Sequence, residues 1–172
     1  MMACSKQENT QWTTTIIISK ALQNHDICRS LMAQQHRIRF SDSVEDGAFI
    51  FPMSGTAFLF LHPQELPKNC DESHHVTTQI DRFLQVHRNS FLFLFDAFDG
   101  GKEYLTFLQR RFFGANLRII PVRSNADIIK GMLTIAKVTS KPHVNIVLER
   151  LAQVGRHILE NSSVHQMLKD LK

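Results

Sequence analysis

Ser90-Phe91-Leu92-Phe93-Leu94-Phe95 is a run of strand length with no polar residue after the first. A run that does not alternate suggests a strand covered on both faces, as in a parallel sheet with helices on either side. Upstream, Val76, Ile80, Phe83, Leu84 and His87 recur at helical spacing. Downstream, Gly100-Gly101 breaks the chain, and Tyr104, Leu105, Leu108 and Phe112 mark the next helix. Leu117 to Val122 then reads as a strand. Ser124-x-x-Asp127 has the form of a capping box opening a helix through Ile128, Ile129, Met132, Leu133, Ile135 and Ala136. Strand and helix alternating in this order imply right-handed crossovers and an open, mostly parallel α/β sheet.

Toward the N-terminus the same class of pattern continues. Thr13-Thr14-Thr15-Ile16-Ile17-Ile18 is β-branched throughout, which favours a strand over a helix. Ile27, Leu31 and Met32 after Asn24 give a first helix ending near Gln35. Arg37-Ile38-Arg39-Phe40 alternates like a half-buried strand. Two apolar runs, Ala48 to Phe51 and Thr56 to Leu61, flank the turn signal Pro52-Met53-Ser54-Gly55, as a hairpin or as a short extension before a buried strand. Residues 63–73 carry two prolines and read as a surface loop. Residues 1–12 are expected to be a disordered leader, and residues 13–138 one domain.

The last part is different in kind. Ser140-Lys141-Pro142 interrupts the preceding helix, because proline lacks a donor and bars the residue before it from the helical region. Val144, Val147, Leu148, Leu151, Val154 and Ile158 then form one apolar stripe, and Gly155 is expected to break it. After Asn161-Ser162-Ser163, Val164, Met167, Leu168 and Leu171 form another. Two or three short helices cannot bury enough surface to fold alone, so residues 139–172 must dock on the α/β domain or on a partner.

Charge is distributed unevenly. Residues 1–100 hold 8 Lys/Arg against 11 Asp/Glu, and residues 101–172 hold 12 against 5. Arg110, Arg111, Arg118, Arg123, Lys130, Lys137 and Lys141 are opposed in their stretch by Asp127 alone, and a positive field of this kind attracts polyanions or acidic surfaces. A solvated basic face with no ligand has the same composition. Thirteen phenylalanines accompany one Trp and one Tyr. Phe112 and Phe113 beside Arg110 and Arg111 cannot both face inward at a helix end, so this corner is a candidate contact patch. Three widely spaced cysteines fit a reducing compartment, and no apolar run reaches the roughly 18 residues of a membrane span.

Familiar chemistry is missing. The turn after the first strand, Ser19-Lys20-Ala21-Leu22-Gln23-Asn24, has no glycine for a dinucleotide site, and no P-loop pattern occurs. His74-His75 point about 100° apart on a helix, and no HxxxH or CxxC supplies a second arm, so no metal site is expected. Asp96 and Asp99 follow the Phe91 strand, where open α/β sheets place function, but lack converging carboxylates; turn and cap duty fits them better than metal catalysis. The residues call for neither a catalytic set nor a cofactor.

An α/β domain, a proline break and a helical tail together resemble the XPF/excision-repair superfamily, in which a nuclease-like domain precedes a helix-hairpin-helix module and subunits pair. The Ser90 to Phe95 strand with Tyr104-Leu105 is similar to the corresponding strand and helix of the non-catalytic excision-repair subunit. Ala136-Lys137-Val138-Thr139 through Leu148, Val154-Gly155, and Ser162-Ser163 to Leu168 are similar to that subunit's first hairpin unit. The superfamily's nuclease signature, GD followed by ERKxxxD, has no counterpart, since no Glu-Arg-Lys triplet occurs. More closely, TIIISKALQNHDICRSL and FLFLFDAFDGGKEYL resemble a family of small vertebrate meiotic proteins homologous to a yeast sporulation protein. That resemblance implies an XPF-type nuclease-like sheet with helices on both faces and a truncated helix-hairpin-helix-like module. It implies a non-catalytic subunit, with no cofactor, paired with a larger XPF-like meiotic protein of the shortage-in-chiasmata type on branched DNA. Crossover formation and synapsis on meiotic chromosomes in the nucleus would be the setting. The seven bases would contact DNA phosphates, with Phe112, Phe113, Val147, Leu151, Val154, Ile158, Met167, Leu168 and Leu171 at the partner interface. One hairpin unit is present and a second, with its GxG phosphate-binding turn, is not. A purely protein-binding adaptor and a metal-dependent α/β enzyme are the competing readings.

Overall fold

A computed structural model describes residues 12–61, 75–95, 102–164 and 167. These build six strands: β1 (Thr15–Ser19), β2 (Arg37–Ser41), β3 (Ala48–Phe51), β4 (Thr56–Leu61), β5 (Asn89–Phe95) and β6 (Leu117–Val122). Five α-helices accompany them: α1 (Asp26–Ala33), α2 (His75–Val86), α3 (Lys102–Arg111), α4 (Asn125–Thr139) and α5 (Lys141–Glu160). The sheet order is β2-β1-β3-β4-β5-β6. Neighbours pair in parallel except where β3 meets β1 and β4, so β3 alone runs against the other five. The two apolar runs around Pro52 are therefore a true hairpin, closed by Ser54 and Gly55 N–H groups donating to the Phe51 carbonyl at 3.2 and 2.9 Å.

Strand alternation sorts side chains by type onto two faces. Phe49, Phe51, Phe58, Phe60, Phe91 and Phe93 point one way and pack with Ile16 and Ile18 under α1 and α4. Ala48, Ala57, Leu59, Leu61, Leu92 and Leu94 point the other way, under α2 and α3. On the phenylalanine face, Phe58 stacks on Phe91 and Phe93 with ring centres 5.0 and 5.6 Å apart, and Phe51 meets it edge-on at 5.4 Å. Helix placement follows from handedness. Stepping from β1 to β2 runs one way along the sheet and from β4 through β6 the other, so right-handed crossovers put α1 on one face and α2 and α3 on the opposite one. This is the two-sided cover that the Phe91 run required.

Local signals explain the boundaries. Ser124 caps α4 by accepting from the Asp127 N–H at 3.2 Å, and the Asp127 carboxylate accepts in return from the Arg123 N–H at 3.2 Å. Ser140, extended at ψ 138°, separates α4 from α5, and Pro142 sits in the first turn of α5 where no donor is needed. Trp12, placed in the leader from sequence, instead packs on the core edge-on to His36 at 5.7 Å. His36 is itself buried, accepting from the Thr14 N–H through Nδ1 at 3.3 Å, and burial holds its pKa below the usual imidazole value.

Gly155 does not break the tail. It lies inside α5, a continuous 20-residue helix, and its φ is not positive. An internal glycine ends a helix only when its backbone turns left-handed; otherwise it costs about 1 kcal/mol and the helix runs on. Asn161 supplies the stop, with its side-chain amide donating to the His157 carbonyl at 2.9 Å.

Candidate functional site

Helix α5 presents an exposed apolar surface. None of its residues is buried, and Val144, Ile146, Val147, Leu148, Leu151, Val154, Ile158 and Leu159 are between 40% and 63% exposed. At 100° per residue, Val144, Val147, Leu148, Leu151, Val154 and Ile158 share an arc of about 120°, a seam along a helix about 30 Å long. Glu149, Arg150, Gln153, Arg156 and Glu160 occupy the rest, with two acids against two bases. The sequence left open whether the tail docks on its own domain; this helix does not. Its root is tied down by the Lys141 N–H donating to the Met53 carbonyl at 3.3 Å, and its stripe stays open. Covering such a set of side chains is worth on the order of 10 kcal/mol before the cost of association. Val164 and Met167 continue the exposed surface, while Leu168 and Leu171 lie outside the described residues. Leu159 borders this stripe, while Ile146 lies on the opposite side of the helix near Arg150 and Gln153; both fall outside the stripe counted from spacing.

The corner after α3 resolves the Phe112-Phe113 pair. Phe112 is 7% exposed and packs with the core of the leucine face, so its ring is not part of an open interface. Phe113 is 91% exposed. The two neighbours diverge because Gly114, at φ 80°, turns the chain there.

The seven bases do not form one surface. Arg110 and Arg111 close α3 on the leucine face, and Arg111 is held 3.3 Å from Asp81. Lys130 and Lys137 lie on the exposed side of α4, across the sheet. Arg118 projects from β6 onto the phenylalanine face, its guanidinium carbon 5.2 Å from the centre of the Phe91 ring. Arg123 follows β6, and Lys141 begins α5. Asp127, the carboxylate opposed to all of them, is engaged in capping; hydrogen bonds from Ser124 and Arg123 lower its pKa.

At the carboxyl end of the parallel strands, where β1 and β4 diverge around β3, lies a cleft of about 290 Å³ lined by Ala21, Leu22, His25, Asp46, Gly47, Phe60 and Gln79. Such a switch point is where open α/β sheets bind ligands. Its polar groups are turned to structural work. Asp46 accepts from Ser19 Oγ at 3.1 Å, Gln79 donates to the Asp46 carbonyl at 2.7 Å, and His25 Nδ1 caps α1 by accepting from the Ile27 N–H. Gly47, at φ 80°, brings its backbone so close to β4 that a Cβ there would lie 2.5 Å from the Phe60 carbonyl oxygen. Among the described residues no three metal-ligating side chains converge, and no helix is long and apolar enough to cross a membrane. Asp96, Asp99 and His74 lie outside the described residues. Cys28 is a buried free thiol whose pKa burial pushes up to about 11.

A family model described as Protein SPO16 homolog matches residues 10–171. The human protein named Protein SPO16 homolog is 41% identical over 173 residues, spanning 99% of this chain and 95% of that one. Among solved structures, XPF from Aeropyrum pernix in complex with DNA is similar in fold, with a TM-score of 0.57 at 9% identity. That match spans 75% of this chain and 66% of the archaeal one.

Proposed function

Because this chain belongs to the Protein SPO16 homolog family and has an XPF nuclease-like fold, we propose that it is the non-catalytic subunit of a heterodimer with a larger XPF-like meiotic protein. The complex binds branched DNA recombination intermediates and promotes crossover formation and synapsis on meiotic chromosomes in the nucleus. The observation that carries this reading is the open apolar seam of α5, which calls for a second polypeptide of matching shape. A non-catalytic role is supported by the missing Glu-Arg-Lys signature and by a carboxyl-end cleft whose one described carboxylate is committed to Ser19. DNA affinity is assigned to phosphate contacts from bases such as Arg110, Lys137 and Lys141, which form no ion pair among the described residues and would read shape without reading sequence.

The test is charge reversal in the assembled complex. Arg110→Glu, Lys137→Glu and Lys141→Glu together should weaken retention of a labelled four-way junction at least tenfold at low salt while the two chains still co-purify. Retention equal to the parent complex would refute the assignment of these bases. Absence of DNA retention by the parent complex itself would favour a purely protein-binding adaptor.

A further inference from the structure

Among the described residues, the leucine face is only partly covered. Its buried cluster draws on β3, β4 and β5 with α2 and α3, and takes no residue from β1 or β2. On β2, Ile38 and Phe40 turn to the phenylalanine face and pack on its core. Arg37 and Arg39 therefore share the opposite face, paired in register with Thr15 and Ile17 of β1, and both are exposed. Elsewhere in this acidic part of the chain, three of the four described bases are matched, Arg88 being the exception. Lys20, Arg29 and Arg82 each lie within 3.1 Å of a carboxylate. Arg37 and Arg39 have no such partner among the described residues, and no hydrogen bond engages either guanidinium there.

We propose that Arg37 and Arg39 form a second DNA-backbone contact, holding a duplex arm against the β1–β2 half of the sheet, which no described helix covers on this face. Charge complementarity selects the ligand: two guanidiniums without an ion-pair partner among the described residues, side by side on a flat face, suit successive phosphates. Residues two apart on a strand project about 6.6 Å from each other, a spacing that one phosphodiester strand can follow. A duplex fits better than a single strand, because the face offers Thr15 and Ile17 and no aromatic ring for unstacked bases. Position adds the functional point. β2 and β6 are the two edges of the six-stranded sheet, separated by five strand spacings, about 24 Å. Arg37 and Arg39 thus stand at the opposite edge of the sheet from β6 and from Arg110 at the end of α3, on the side of the sheet that carries α3. Two basic sites so separated would hold two arms of one branched molecule, whereas a single linear duplex engages one at a time.

This inference rests on the DNA-binding reading above, and the experiment separates the two. The full chain, assembled with its XPF-like partner, is titrated with a four-way junction and with a linear duplex of the same arm sequence. Arg37→Glu with Arg39→Glu should lower junction affinity about five- to tenfold and leave duplex affinity within twofold. It should also reduce the salt slope of junction binding by about 1.8, the value for two lost phosphate contacts. Arg37→Gln with Arg39→Gln, a milder pair, should show the same direction with unchanged circular dichroism and co-purification. Junction binding unchanged in both pairs would leave these arginines as guards of an open sheet edge and overturn the inference, with the DNA-binding reading intact. A parent complex that retains neither DNA would overturn both.

Discussion

Gln35 sits at φ 64°, the one described non-glycine residue with positive φ. It ends α1 in a Schellman arrangement: the His36 N–H reaches the Leu31 carbonyl at 3.2 Å and the Gln35 N–H reaches the Met32 carbonyl at 2.9 Å. A side chain in that conformation costs about 1–2 kcal/mol, against the smaller entropic cost of a glycine there. Gln35→Gly should therefore stabilise the chain by roughly 0.5–1 kcal/mol, raising the melting midpoint by about 1–3 °C in calorimetry. A lowered midpoint would show that the side chain contributes something the backbone geometry does not. Gly47 is the reverse case. Its backbone touches β4, so the position admits no other residue without moving the Phe60 carbonyl.

At the scale of elements, much was legible in the sequence, and the misses have causes. The Phe91 run was readable because strands covered on both faces lose their polar alternation, and β5 carries five consecutive buried residues. The Ser124 cap and the Pro142 break were readable because they are set by backbone groups a few residues away. Gly47 and Trp12 were not readable, since their roles come from contacts with β4 and His36, far along the chain. Nor was the fate of Gly155, because nothing local decides whether a glycine ends a helix or sits within one. The candidate site was half legible. The stripe on α5 could be counted from spacing, but only the fold shows that the stripe faces away from its own domain. Leu151→Glu with Ile158→Glu should accordingly leave the thermal midpoint of the isolated chain unchanged within about 1 °C, because both residues are more than 60% exposed. The same pair should abolish capture by an immobilised XPF-like partner. A fall of several degrees would instead mean that the stripe already packs within the chain.

At the scale of the whole molecule, two layers of helices saturate most of a six-stranded sheet, and what remains uncovered is segregated. Apolar surface is concentrated on α5 and at Phe113, bases without an ion pair among the described residues lie on the edge strand β2 and on α3, α4 and α5, and the carboxyl-end cleft is lined with polar groups bonded to each other. On the proposed reading, such a molecule is completed by another chain. Multi-angle light scattering on the full chain, alone and co-expressed with a larger XPF-like protein, measures this most directly. The chain alone should associate with itself as concentration rises, and the mixture should give one particle with the mass of one copy of each. A chain that stays a monodisperse monomer at high concentration and elutes apart from the larger protein would contradict the account.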